Sequence, residues 1–328
     1  MPFHPNHLPS LKDKVFIVTG GNSGIGFCTV ANLSEHGAHV YMCTRSPQKG
    51  TEAIANIRKM HPSANIDLLQ MDLMDLSSVV AAVEQFLTLE TALHGLVNNA
   101  GIMATPFEMT KDGHEAQWQT NYLAHWVLTE NLLPLLLRTS KALPPGGVRI
   151  VNLTSSGHLG APKCGINFKD LSLKDSSPWT RYGQSKLANI LHTQMLHKAY
   201  GPSSLSARNG VGEIWVSSVH PGLVETNLAT SVSESGSGMM SVFSVLRIFG
   251  LMWSADKGSW SSLFCAASPD MKAEDSGTYS EIFRRFGEPK WLSSAAKDES
   301  LAERLEEWTR EAIRKEVIWV AKAGSRGC

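Results

Sequence analysis

Val15-Phe16-Ile17-Val18-Thr19-Gly20-Gly21-Asn22-Ser23-Gly24-Ile25-Gly26 is the stretch on which the fold turns. Its first four residues are apolar and mostly β-branched, which reads as a short buried strand. The glycines that follow permit a tight turn and the close approach of a ligand backbone. A helix opens from that turn and runs to about His36, where Gly37 is placed to stop it. The start of such a helix offers free N–H groups and a positive dipole end, which suits a pyrophosphate. The Gly-x-x-x-Gly-x-Gly spacing differs from the commoner Gly-x-Gly-x-x-Gly fingerprint. A bare strand–helix turn could use the same glycines, but the position after an N-terminal strand favours dinucleotide binding.

Outward from this unit, strand and helix alternate. Val40–Cys43, Ile66–Gln70, Leu93–Val97, Val148–Leu153 and Ile214–Val219 read as strands. Helices are expected over Thr51–Met60, Ser77–Leu89, His114–Arg138 (with Pro134 able to kink its last turns) and Tyr182–Tyr200. Lys163–Trp179 reads as an inserted loop and Ser231–Gly238 as a flexible one. Repeated βα units with near-continuously apolar strands imply a buried parallel sheet with helices on both faces, in one α/β domain. At the far end Leu301, Leu305, Trp308 and Ala312 recur at helical spacing, with Glu306 and Arg310 able to pair.

The 328 residues are 42% hydrophobic and 18% charged, enough for a sizeable core. Lys+Arg 30 against Asp+Glu 30 leaves no basic footprint for nucleic acid or an acidic membrane. Five scattered cysteines without Cys-x-x-Cys spacing suggest reduced thiols, not a disulfide framework or zinc site. There is no signal-peptide run and no apolar segment long enough for a transmembrane helix, so a cytoplasmic protein is expected. Asn152-Leu153-Thr154 matches the glycosylation pattern but lies in a strand-like run.

Tyr182-Gly-Gln-Ser-Lys186 sets a phenol and an ammonium one helical turn apart on one face. A cation held there favours the phenolate and could tune the phenol as a general acid–base near neutrality. Taken in isolation the pair reads more readily as an ordinary helix-surface contact. After the second strand, Cys43-Thr44-Arg45-Ser46 lacks the carboxylate with which NAD enzymes of this architecture bind the adenosine ribose. Arg45 instead offers a guanidinium suited to a 2′-phosphate, and Lys49 adds charge, so NADP(H) is the expected cofactor.

Together these motifs resemble the short-chain dehydrogenase/reductase superfamily over roughly residues 12–285. Its retinol dehydrogenase and WW-domain oxidoreductase-like branch is the nearest in pattern. The resemblance implies a Rossmann-type doubly wound sheet of about seven strands. Residues 12–160 would form mainly the cofactor half, 161–285 the catalytic and lid part, and 286–328 a helical extension. Gly20, Asn22, Ser23, Gly24, Ile25 and Gly26 match the family's cofactor loop, and Asp72 and Leu73 the residues flanking adenine. Asn99, Ala100 and Gly101 belong to the Asn-Asn-Ala-Gly motif; Pro221, Gly222, Val224 and Thr226 match the loop holding nicotinamide.

Asn121, Ser155, Tyr182 and Lys186 match the catalytic set. Ser155 is preferred to Ser156 by the alignment of the preceding strand, since neighbours on a strand face opposite ways. The implied reaction moves hydride between NADPH and a ketone or aldehyde, or back from an alcohol. Ser155 would hydrogen-bond the oxygen, Tyr182 pass the proton, and Lys186 lower the Tyr182 pKa and hold the nicotinamide ribose. Asn121 would connect Lys186 to solvent. The apolar run Met239–Trp253 is expected to act as a substrate lid for a lipophilic or aromatic carbonyl, a buried helix or contact patch being the competing reading. Family members often assemble through helices such as 121–138 and 182–200, so a homo-oligomer is possible unless the C-terminus obstructs it. Two other readings of the same fold are an isomerase or cyclase and a non-enzymatic NADP-binding scaffold.

Overall fold

The computed structural model describes residues 3–224, 252–281 and 292–315. Its strands are β1 Val15–Thr19, β2 His39–Thr44, β3 Asn65–Gln70, β4 Gly95–Asn98, β5 Arg149–Leu153, β6 Trp215–His220 and β7 Tyr279–Glu281. They form one sheet in the order β3-β2-β1-β4-β5-β6-β7, with every pairing parallel. The order reverses between β1 and β4, and such a switch point opens a crevice at the strand ends. Thr19 and Asn98 stand at those ends.

Alternation along the strands builds a core on each face. Val15 and Ile17 join the core formed with α3 (Leu76–Leu89), α4 (Ala124–Lys141), α5 (Pro178–Tyr200) and α7 (Glu299–Lys315). Phe16 and Val18 join the opposite core with α1 (Gly24–Glu35), α2 (Pro47–Met60) and α6 (Ala255–Ala267). This is the doubly wound Rossmann-type arrangement expected from the βα pattern.

Most element limits shift by only a residue or two, and three larger differences from the sequence expectation each have a local reason. Helix α2 starts at Pro47 because Ser46 caps it, its Oγ accepting the Lys49 amide, and proline suits the first helical turn. The same device starts α5 at Pro178, where Ser177 accepts the Thr180 amide, so the inserted loop ends before Trp179. The expected helix over 114–138 is composite. One α-helical turn (Ala116–Trp118) runs into a π-helical segment, Gln119–Leu123, before α4 continues through Pro134 to Lys141. π segments are rare and recur at functional positions; this one carries Asn121.

The C-terminal helix forms as its spacing suggests, with Arg310 Nη2 2.6 Å from Glu306 Oε1. It lies against α4, α5 and the π segment. Tyr122 and Thr309 share a hydrogen bond of 2.7 Å, Trp126 Nε1 donates to Glu306 at 3.0 Å, and Arg310 donates to Glu130 at 3.0 Å. The helices that the resemblance implied for assembly are therefore the ones α7 packs on. Among the described residues no helix is long and apolar enough to cross a membrane. The stretch 231–238 expected to form a loop, nearly all of the 239–253 stretch expected to form a lid, and Thr226 lie outside the described residues.

Candidate active site

The turn after β1 is held by its own backbone and by β4. Gly20 and Gly24 adopt φ of 63° and 54°, the left-handed region that disfavours other residues. Gly26 is required by contact: a Cβ there would strike the Gly20 carbonyl oxygen and lie 2.5 Å from Asn99 Nδ2. That amide donates to the Thr19 carbonyl at 2.7 Å, while Thr19 Oγ1 accepts the amides of Asn99 (2.9 Å) and Ala100 (3.0 Å). The Asn-Asn-Ala-Gly segment and the glycine turn are thus one rigid unit. Ser23 caps α1 without making a side-chain hydrogen bond to it, so the first amides of α1 face the crevice unclaimed by their cap.

Two adjoining hollows of about 390 and 250 Å³ follow this crevice. The first is walled by Gly20, Asn22, Ser23, Gly24, Ile25, Gly26, Asn99, Ala100, Gly101, Tyr182, Lys186 and Pro221. The second contains Lys49, Asp72 and Leu73, and exposed Arg45 borders both. Asp72 Oδ1 is engaged by the Met74 amide at 3.0 Å, so the loop turns on it. Unclaimed helix amides, a glycine cradle and a basic rim match the shape and charge of a dinucleotide. Gly222 (φ 85°) follows Pro221, whereas Val224 pairs with Trp253 and packs against Gly258, outside both hollows.

At the other end of the crevice α5 presents Tyr182 and Lys186. Gly183 lets this helix close on the Ser156–Gly160 turn; a Cβ there would sit 2.6 Å from the Ala161 amide nitrogen. Gly157 similarly leaves room for the Tyr182 ring. Ser155 Oγ accepts the Gly157 amide at 3.0 Å and is hydrogen-bonded to the Tyr182 phenol. Asn121 is fully buried behind the wall: Oδ1 accepts the Ile102 amide (2.8 Å), and Nδ2 donates to the Ile102 carbonyl and Ser185 Oγ (both 2.9 Å). A Cβ on Gly101 would lie 3.0 Å from Asn121 Oδ1 and 3.2 Å from Lys186 Nζ, so this glycine brings the two together.

The electrostatics differ from the simple expectation for a Tyr–Lys pair. Lys186 Nζ donates to the Leu153 carbonyl at 3.0 Å and lies 5.8 Å from the Tyr182 ring centroid. Burial brings the lysine down from 10.5 to about 8. Burial also raises the Tyr182 pKa, and the counteracting influence is the Ser155 hydrogen bond, not the ammonium. In the protein alone the phenol is therefore held protonated, because desolvation outweighs a cation occupied by a carbonyl.

Tertiary structure adds residues that spacing did not mark. Arg181 is 4% exposed and bonds the carbonyls of Ser176 (2.8 Å) and Thr105 (3.2 Å) beside Glu115, anchoring the start of α5. His125, one turn beyond Asn121, reaches Thr19. Its spacing from Asn121 was visible in the sequence; its partner across the sheet was not.

The short chain dehydrogenase family model matches residues 14–166. A short-chain dehydrogenase/reductase, drtF, of Aspergillus calidoustus is 50% identical over 96% of this chain and 98% of its own. The chain belongs to the short-chain dehydrogenase/reductase family. Retinol dehydrogenase 12 of Mus musculus is 35% identical over 90% of this chain and 84% of its own. The crystal structure of an uncharacterized Mycobacterium paratuberculosis protein is 30% identical, with a TM-score of 0.71 over 96% of this chain and 98% of that one. An NADPH-bound carbonyl reductase from chicken fatty liver, 22% identical, shares the fold at a TM-score of 0.60 over 85% of this chain and 95% of that one. The oxidoreductases of this family act on CH–OH and C=O groups with NAD or NADP.

Proposed function

We propose that this chain is an NADP(H)-dependent oxidoreductase that interconverts a lipophilic or aromatic ketone or aldehyde and its alcohol. The observation that carries the reading is the crevice with a Ser155–Tyr182–Lys186 cluster at one end and Arg45 with Lys49 at the other. Gly20, Asn22, Ser23, Gly24, Ile25 and Gly26 would hold the pyrophosphate on the amides of α1, and Arg45 the 2′-phosphate. Asp72 and Leu73 would flank the adenine; Asn99, Ala100, Gly101, Pro221 and Gly222 would support the nicotinamide end, whereas Val224, turned onto α6, would not. The bound cofactor supplies the hydride.

The rest of the chemistry belongs to the chain. Ser155 aims its hydroxyl proton at the substrate oxygen as negative charge grows there. Tyr182, kept protonated by burial, delivers the proton. Lys186 holds the ribose and supplies positive charge beside the phenol; Asn121 fixes the Gly101–Ile102 backbone against it. Exposed Leu159 on the turn touching Tyr182, and Trp179 at 6.4 Å from the Tyr182 ring, support an apolar substrate. The free thiols Cys28, Cys43, Cys164 and Cys265 fit a cytoplasmic setting.

A panel of aliphatic and aromatic ketones and aldehydes, followed by NADPH absorbance and repeated with NADH, tests this. NADPH-dependent reduction, with Tyr182→Phe keeping NADPH binding and losing at least about 100-fold in turnover, is the expected result. A clear NADH preference would overturn the Arg45 assignment, and full activity in Tyr182→Phe would remove the phenol from the mechanism.

A further inference from the structure

His125 is 2% exposed and lies between the two halves of the site. Its Nδ1 is 3.1 Å from the Asn121 carbonyl oxygen and its Nε2 is 2.8 Å from Thr19 Oγ1. A carbonyl only accepts, so Nδ1 carries the proton and, in a neutral ring, Nε2 must accept. The Thr19 hydroxyl can supply that hydrogen because its lone pairs already receive the Asn99 and Ala100 amides. The competing acceptor for it, the Val97 carbonyl, is farther away at 3.5 Å. Each donor and acceptor along Asn121–His125–Thr19–Asn99 is thereby assigned.

A charged ring would break this order, since a second N–H would face a hydroxyl with both lone pairs occupied. The surroundings oppose that charge: burial is the main cause, the ammonium of Lys186 and the ring of His192 also face it, and the pKa falls to about 3. The ring stays neutral at any working pH.

The chain of bonds joins parts that act together. Thr19 ends β1 and fixes the Asn99–Ala100 wall of the crevice. Asn121 sits in the π segment, where the widened ladder draws carbonyls away from their usual i+4 amide partners. From there its side chain grips the N–H and the C=O of Ile102, and Ser185 on the catalytic helix.

We propose that His125 is a positioning residue, an uncharged buried strut that sets Asn121 and the catalytic end of α5 in register with the cofactor cradle. It touches neither substrate nor cofactor; it acts through Thr19 and Asn121. The inference rests on the functional reading above for its consequence, and on the hydrogen bonds for its geometry.

Three full-length variants separate its two bonds. His125→Phe removes both. His125→Asn places an amide where Nδ1 lies and keeps only the Asn121 contact; His125→Gln reaches the Nε2 position and keeps only the Thr19 contact. Amide exchange of Ile102 is measured in ligand-free protein, NADPH affinity by equilibrium titration, and the pH profile of kcat with the best carbonyl of the panel. In His125→Phe, Ile102 exchange should rise about tenfold while β3 amides stay unchanged, and NADPH affinity should fall at least about fivefold, within ordinary intersite coupling. The kcat profile should shift by about half a pH unit or more, with KM for the carbonyl little changed. The Asn and Gln variants should each recover part of these effects, and they decide the matter if His125→Phe does not fold. Folded variants with wild-type Ile102 exchange, NADPH affinity and pH profile would overturn the proposal, as would a lower melting temperature with all three unchanged. If the wild-type protein binds no NADPH, the cofactor reading falls separately, and Ile102 exchange still decides whether His125 is the strut.

Discussion

Lys186→Met should make the ligand-free protein more stable while abolishing its activity. Lys186 is 4% exposed, and burial takes its pKa from 10.5 to about 8. At about 1.4 kcal/mol per pH unit, the charged form is about 3 kcal/mol more costly in the fold than in the open chain. The penalty is full below pH 8, where folded and unfolded chains are both protonated. It fades as pH rises from 8 to 10.5, because over that interval the unfolded chain binds more protons than the folded one. Methionine keeps the aliphatic stem but forfeits the hydrogen bond to the Leu153 carbonyl, worth about 1 kcal/mol. That oxygen retains Asn189 Nδ2 at 2.9 Å, so it is not left unpaired.

The net gain is about 2 kcal/mol at pH 7. With an unfolding entropy of about 2.1 cal/mol/K per residue, a chain of 328 residues should gain about 3 °C in Tm. Thermal melts of both proteins without cofactor, from pH 6.5 to about 9.5, provide the assay. The variant's advantage should shrink steadily above pH 8. A variant melting at or below wild type at pH 7, or a difference independent of pH, would refute the assignment of a strained buried charge. In the proposed mechanism the same charge, held at a cost to stability, serves the reaction beside Tyr182, an instance of activity opposing stability.

Two further substitutions probe the frame. Gly26→Ala forces a Cβ into the Gly20 carbonyl and Asn99, so NADPH affinity should fall more than about tenfold and stability by about 1–3 kcal/mol. Gly160→Ala, whose Cβ would have only the Trp179 oxygen at 3.8 Å, serves as the unaffected control in the same NADPH titration. Arg310→Met strips Glu130 of its 3.0 Å partner beneath α7, and urea unfolding should show a loss of about 2 kcal/mol. That is below the cost of breaking a fully buried pair because the Arg310 side chain is 36% exposed.

The βα order, the cradle glycines and the Tyr182/Lys186 spacing were legible because each depends on residues a few positions apart. Strand periodicity, capping serines and left-handed glycines are local physics, and a linear pattern records them. Even the helix starts at Pro47 and Pro178, expected instead at Thr51 and Tyr182, follow from a Ser-Pro cap present in the sequence. The π segment was not legible, since nothing local in Gln119–Leu123 distinguishes it from the helix around it.

Sequence by itself thus determined the family, the sheet and most of the residues that wall the crevice, though not the outward turn of Val224. Only the tertiary structure decided their state. His125 meets Thr19 across 106 positions, and α7 reaches Trp126 and Glu130 across 180. The Tyr–Lys pair turned out to be governed by burial and by the Leu153 carbonyl, not by its spacing alone. Desolvation and long-range hydrogen bonding depend on what the folded chain places around a group, and no spacing along the chain encodes that.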